Sequence, residues 1–452
     1  MAVELTRRLG EFISGLRIAD LTAESRSVID TGFTDCVGVM IAGRVQPPAQ
    51  LLKAALSPPP GESTLLFGEG TASGPEAAWI NATAAHALDF DDVALGLGHT
   101  SAVLVPAILA EAQALGASGA QMVVAYAAGY ETWAELVRRD KNEYHTKGWH
   151  PTGIFGAVGA AAACASLRGL SPEQAACAIS LGASQSAGIM ANFGTMAKPF
   201  HAGRAAHAGV MSARLAARGF TAALDALEHP QGFLSAVSPT GRVDLESPVE
   251  AGVIWKLPKK RLSVKKYPLC FGTHRALDGI LDLLKENRVD AAGVARVRVS
   301  TSRRTIAILR NHLPQTGLEA KFSMEFAMAC AIIAGRAGLT ELTDDFVRRS
   351  DIQSLMRRVS LDPDDRKDPA APSFSPDDCL TVETDNGRRL ESRKVSSVRG
   401  DPEQPLKREE LWAKFEDCIR AGSAGVPARA LFDSLMSLDE LEHIRRLPGL
   451  AA

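Results

Sequence analysis

From about residue 5 to residue 255, apolar positions recur with the three-to-four spacing of helices, and the residues between them are largely Ala and Gly. Short polar breaks interrupt the pattern, and two of them carry a helix-start signature. Ser118-Gly-Ala-Gln121 and Ser171-Pro-Glu-Gln174 each place Ser at an N-cap with Gln three residues on, so that each side chain accepts the other residue's backbone N–H. Connections this short predict antiparallel neighbouring helices, and the small residues let their axes approach closely. The most apolar run, Gly153 to Leu167, falls below the ~20 residues of a membrane span and reads as a buried helix.

The pattern changes near Trp255. Val294-Ala-Arg-Val-Arg-Val-Ser300 alternates with the period of a strand, and Leu380 to Leu390 encloses Asn386-Gly387, a pair suited to a type I′ hairpin turn. A helix is predicted from about Ser323 to Ala334. The charged, Pro-rich stretch Asp362 to Pro376 reads as the most irregular loop, and helical periodicity returns from Lys407 to Arg446. The expected architecture is a mainly α protein whose middle third is α+β.

Composition narrows the function classes. The chain has 452 residues, a formal net charge of −2 and 46% hydrophobic residues. That is enough for a sizeable core in two or three domains, and it argues against a general nucleic-acid or membrane-surface binder. Basic runs with few interleaved aromatics point the same way for nucleic acid. The seven cysteines are odd in number and widely spaced, with no C-x-x-C pair, which predicts reduced core thiols rather than a zinc site. The N-terminus lacks the charged-then-apolar order of a signal peptide, so a cytoplasmic location is the expectation. No dinucleotide, P-loop or nucleophile-elbow motif is present.

Against that balanced background, the 51 residues from Gln174 to Leu224 hold no Asp or Glu and include Lys198, His201, Arg204 and His207. This suggests an interior that receives an anion. Lys198 precedes Pro199 and is expected at a helix start, where a cation opposes the helix dipole unless a carboxylate sits beside it. A second cluster is His86-Ala-Leu-Asp-Phe-Asp-Asp92 followed by Gly96-Leu-Gly-His-Thr-Ser101. Three carboxylates in four residues suit a solvated helix end, but a carboxylate within reach of a histidine also fixes its tautomer and raises its basicity. His150, between Trp149 and Pro151, opens the apolar helix, where backbone N–H groups favour an anion. The acid-free run Ala251 to Leu277 adds Lys266 beside Tyr267-Pro268, the lysine expected to turn inward, together with His274.

The order H-A-x-D-F-D-D with a downstream G-H-T-S, then W-H-P-T-G, G-T-M-A-K-P-F-H-A-G-R-A-A, K-K-Y-P-L-C, A-K-F-S-M and R-G-D-P-E-Q-P-L resembles the MmgE/PrpD family. The resemblance covers nearly the whole chain. It implies an all-helical domain from residues 1–258 and 402–452, an inserted α+β lid domain at 259–401, a homodimer, and activity without metal or organic cofactor. By motif it places Asp89, His99, His150, Lys198 and Lys266 in a catalytic site. Two residues depart from relatives: Val93 stands where the decarboxylases of the family have Thr, and Phe326 where several relatives have Tyr.

Together these readings predict an enzyme that moves a proton next to a carboxylate of a small di- or tricarboxylic acid. Lys198 and Lys266 would hold carboxylates, and His99 and His150 would transfer protons, with Asp89 orienting one of them. His201, Arg204, His274 and Ser323 would support substrate binding. A 2-methylcitrate dehydratase-like lyase is the leading expectation, with iminodisuccinate epimerase-like or cis-aconitate decarboxylase-like activity as alternatives. A non-catalytic polycarboxylate-binding protein is the reading from another class.

Overall fold

The computed structural model describes residues 3–94, 96–140, 142, 144–369 and 371–450. The chain divides into two compact units, Met1–Ser263 with Glu410–Ala452, and Val264–Glu409. It is mainly α.

In the first unit the helices are α1 (Leu5–Gly15), α2 (Ala23–Gly43), α3 (Pro47–Leu56), α4 (Gly74–Ala87), α5 (Ser101–Leu115), α6 (Gly119–Arg138), α7 (Pro151–Leu167), α8 (Pro172–Ser184) and α9 (Ala197–Ala217). Both sequence-predicted capping boxes form, Ser118 with Gln121 at the start of α6 and Ser171 with Gln174 at the start of α8. The run expected to be a buried helix is α7, whose residues are buried apart from Ser166. It packs between α6 and α9, and α9 also packs against α4. Glycine sets these spacings. A Cβ on Gly203 of α9 would lie 2.1 Å from Thr83 Oγ1 and 2.5 Å from the Trp79 carbonyl of α4, and one on Gly209 would lie 2.3 Å from the Ala160 Cβ of α7.

The second unit is built on a four-stranded sheet of β3 (Val294–Ser302), β4 (Val359–Asp364), β5 (Cys379–Thr384) and β6 (Arg389–Glu391), in the order β4-β3-β5-β6; β1 (Ser63–Thr64) and β2 (Thr71–Ala72) form a small pair in the first unit. Its core joins the apolar face of that sheet to α10 (His274–Glu286) and α11 (Met324–Ala334). The strand expected from Val294 and the helix expected near Ser323 are both present. Two details differ from expectation. The stretch from Asp362 begins as strand, because β4 runs parallel to β3 through Asp364, and Pro363 is tolerated there on an edge strand. The hairpin turn is not type I′: Thr384 N–H donates to the Arg388 carbonyl across a three-residue loop, and positive φ occurs at Gly387 (78°) but not at Asn386.

The chain then returns to the first unit through α12 (Arg408–Ala421) and α13 (Ala428–Leu435). Among the described residues no helix is long and apolar enough to cross a membrane.

If the glycine contacts set the helix spacing, Gly203→Ala lowers unfolding free energy by about 1–3 kcal/mol, the usual range for overpacking. Gly15→Ala, at a helical position whose Cβ would meet nothing within 4 Å, is neutral or slightly stabilising. Urea unfolding of the two variants checks both signs.

Candidate functional site

The site is built where α4 ends. His86 lies in the last turn of α4, and the chain leaves the helix through Asp89, whose φ of 51° is left-handed, a region that Asp enters more readily than most residues. That turn sends Asp91 and Asp92 into the interior, both fully buried, while Asp89 stays half-exposed. The solvated helix end considered from sequence is therefore not what forms.

Asp91 receives two histidines. One carboxylate oxygen lies 2.9 Å from His86 Nδ1 and the other 2.7 Å from His99 Nδ1. With both Nδ1 atoms donating, each imidazole is fixed in the tautomer whose Nε2 carries a lone pair. His86 Nε2 is buried and has no hydrogen-bond partner among the described residues. His99 Nε2 faces Asp89 Oδ1 at 3.7 Å. The loop carrying His99 is held from two sides, by Trp133 Nε1 on the Leu97 carbonyl and by a hydrogen bond from the His99 backbone N–H to Thr152 Oγ1 in the first turn of α7.

Burial shapes the electrostatics. It works to raise the Asp91 pKa, but the two imidazoles overcome it and hold the carboxyl well below its usual range. His86 is pushed down to about 4, chiefly by burial. His150 is also driven down by burial, with His86, Lys198 and the other histidines adding to the effect. Both are neutral bases at pH 7.

His150 caps the N-terminus of α7, as expected from Pro151, with its ring edge-on to Phe193 at 4.8 Å. Its Nδ1 lies 3.2 Å from His201 Nδ1, so one ring donates and the other accepts. The His86 ring stacks near His150 at 6.0 Å and meets His99 at 4.3 Å. Lys198 is the second residue of α9, which starts two residues before Pro199, the first helical residue expected; it places Nζ 2.7 Å from Asp89 Oδ1 and above the Phe193 ring.

Asp89, His99, His150, Lys198 and His201 are thus brought together in the first unit. Arg204 points elsewhere: it lies over the Trp79 ring and contacts His207. Lys266, His274 and Ser323 belong to the second unit. Lys266 is half-buried, and it is the neighbouring Lys265 that is buried, at 3% exposure. His274 is a core residue against Tyr267 and Phe271, with Nε2 donating to the Leu269 carbonyl. Ser323 caps α11, accepting the Phe326 N–H. The sequence reading missed His86 and Asp91. It also gave Asp89 the orienting role, whereas in the structure Asp89 pairs with Lys198 and Asp91 holds the rings. The signal was present in the spacing, since His86 opens the same run as the three carboxylates.

His86, Asp89, Asp91 and His99 offer ligand atoms within 4.8 Å of one another, the donor set of a divalent cation. Both Asp91 oxygens are already engaged by imidazole nitrogens and Asp89 carries the Lys198 ammonium. A cation would have to displace those bonds.

The MmgE/PrpD N-terminal domain matches residues 7–246, and the MmgE/PrpD C-terminal domain matches residues 267–431. The chain belongs to the MmgE/PrpD family. It is similar to the cis-aconitate decarboxylase of Homo sapiens, 26% identical over 377 residues that make up 81% of this chain and 77% of that protein. The corresponding protein of Mus musculus is 25% identical over 375 residues, 80% of this chain and 75% of the relative. That of Aspergillus terreus is 24% identical over 437 residues, 90% and 87%. The chain is an enzyme of the MmgE/PrpD family, and these relatives are lyases. All of the histidine cluster lies inside the segment matched by the family's N-terminal domain.

The buried neutral histidines make stability depend on pH. An unfolded imidazole titrates near 6.5 and folded His86 near 4, so between those values the unfolded state binds more protons. The contribution is complete above about pH 6.5 and lost as pH falls toward about 4. Between pH 7 and pH 5, wild type should lose on the order of 1–2 kcal/mol more than His86→Asn, read by urea unfolding at each pH. Equal losses would contradict a neutral buried His86.

Proposed function

We propose that the chain is a lyase acting on a small tricarboxylic acid of the cis-aconitate type, by proton transfer at the carbon next to a carboxylate. The observation that carries this reading is the pair of imidazoles locked on one buried carboxylate, each keeping a lone pair on Nε2. A protein that only bound polycarboxylates would need cations and no such pair. The names of the curated relatives make cis-aconitate the first acid to try.

In a decarboxylation the bond from the reacting carbon to one carboxylate breaks and CO₂ leaves. The electron pair passes into the conjugated neighbouring carboxylate, and a proton is then delivered to carbon. His99 is suited to relay it: the Nε2 lone pair takes a proton from solvent and passes it to carbon, while Asp91 at 2.7 Å and Asp89 at 3.7 Å flank the ring. His150, held neutral, suits the reverse task of accepting a proton or a hydrogen bond. Lys198 keeps donor capacity beyond its bond to Asp89 and offsets charge that develops on a substrate carboxylate. Lys266 remains in the proposal on its motif match, as a carboxylate-binding residue of an inserted lid. Homodimer formation is part of the same reading.

A second reading is elimination of water from a 2-methylcitrate-type acid. Val93, which by the family resemblance stands where decarboxylases carry Thr, counts against decarboxylation, though Phe326 in place of the Tyr of several relatives counts against either activity. The same bases would then remove the proton beside the leaving hydroxide.

Product analysis with cis-aconitate, 2-methylcitrate and iminodisuccinate separates the outcomes: CO₂ release, loss of water, or inversion without loss. Wild type should turn over one of them, and His99→Gln and Asp91→Asn should each lower kcat by roughly 10²- to 10⁴-fold, the range of general acid–base catalysis. Prolonged chelator treatment should leave that rate unchanged. Binding of all three acids with neither turnover nor solvent deuterium entering the ligand would overturn the assignment in favour of a binding protein.

A further inference from the structure

Behind the histidine cluster lies a second buried group of charges that the proposed chemistry does not use. Lys414 of α12 is 324 positions from Phe90 in sequence, yet its Nζ donates to the Phe90 carbonyl at 2.8 Å and sits 4.0 Å above the Phe90 ring. The same Nζ lies 2.5 Å from Asp35 Oδ1 of α2. Asp92, also fully buried, neighbours this pair, and burial followed by the charge of Asp35 pushes its carboxyl well above the usual range. Burial raises the Asp35 carboxyl as well, against the pull of the Lys414 ammonium, and Lys414 is only 7% exposed.

We propose that Lys414 is a positioning residue for the catalytic turn. Phe90 stands between Asp89 and Asp91, and its carbonyl belongs to the peptide unit that carries the Asp91 N–H. Anchoring that carbonyl fixes the direction in which Asp91 leaves the backbone, and with it both histidines. The turn needs such an anchor because Asp89 is left-handed, a conformation that persists only when its surroundings impose it. Stability alone does not account for the pair. A buried ion pair replaced by apolar groups of similar volume is often neutral or stabilising, whereas removal of one partner is strongly destabilising. The ammonium does what an apolar isostere cannot, since it pairs with the Asp35 carboxylate and donates to the Phe90 carbonyl at once. Through α12, the segment that follows the second unit thereby helps shape the site.

The test uses the full chain carrying Lys414→Met together with Asp35→Asn, which removes cation and anion at once and so avoids the unpaired charge left by Lys414→Met alone. Wild type should show two strongly deshielded imidazole N–H proton resonances, assigned by their joint loss in Asp91→Asn. In the double variant these resonances shift or broaden, while the thermal midpoint stays within about 5 °C of wild type. For the acid that wild type turns over, kcat falls roughly 100-fold, the scale of a small misplacement, and KM changes less than about threefold. Wild-type resonances or wild-type kcat in the folded double variant overturn the proposal. The kinetic arm rests on the proposed lyase activity, but the resonances do not, so an inactive wild type would count against that activity and still leave Lys414 decided.

Discussion

A carboxylate shut away from water must find its donors inside the protein, and Asp91 finds them in two imidazoles. Most features of the first unit around it serve that arrangement. The left-handed Asp89 turns the chain inward at the end of α4, and the loop that follows is held to α6 through Trp133 and to α7 through Thr152, which brings His99 to the free carboxylate oxygen. Because Asp91 is ionised in a low-dielectric setting, both Nδ1 atoms keep their protons and both Nε2 atoms are left as bases. Burial disfavours an imidazolium and makes His86 and His150 weaker bases than a free imidazole, so protonation of either ring depends on negative charge beside it.

The acid-free window changes meaning in this light. It does supply Lys198 and His201, but the Lys198 ammonium has a carboxylate partner in Asp89, contributed by the turn that follows α4, where the sequence suggested a cation waiting for its ligand. The wall is balanced in charge, which suits an acid whose carboxylates must be held without being bound so firmly that the reaction stalls. Arg204, in the same window, sits on the Trp79 ring of α4 instead.

What the sequence made legible was local. The capping boxes, the buried helix from Pro151 and the alternation from Val294 depend on neighbours in the chain, and they stand where expected. Which of three aspartates orients the histidines depends on one left-handed residue, and a motif of alternating carboxylates does not announce where φ changes sign. The strand Val359–Asp364 was hidden by its charge and proline because it lies at a sheet edge, where polar residues are tolerated. Lys414 was invisible for a different reason: its partners, Asp35 and Phe90, are hundreds of residues away, and helical periodicity alone gives a lysine a place on the surface.

The central claim is that one buried carboxylate holds two histidines in the tautomer that leaves Nε2 unprotonated. Nitrogen NMR of histidine-labelled protein at neutral pH measures this directly. The account predicts that His86 and His99 both show protonated Nδ1 and unprotonated Nε2, and that Asp91→Asn removes this shared state. A proton on Nε2 of either ring in the wild-type protein at neutral pH, with Nδ1 bare, would contradict it.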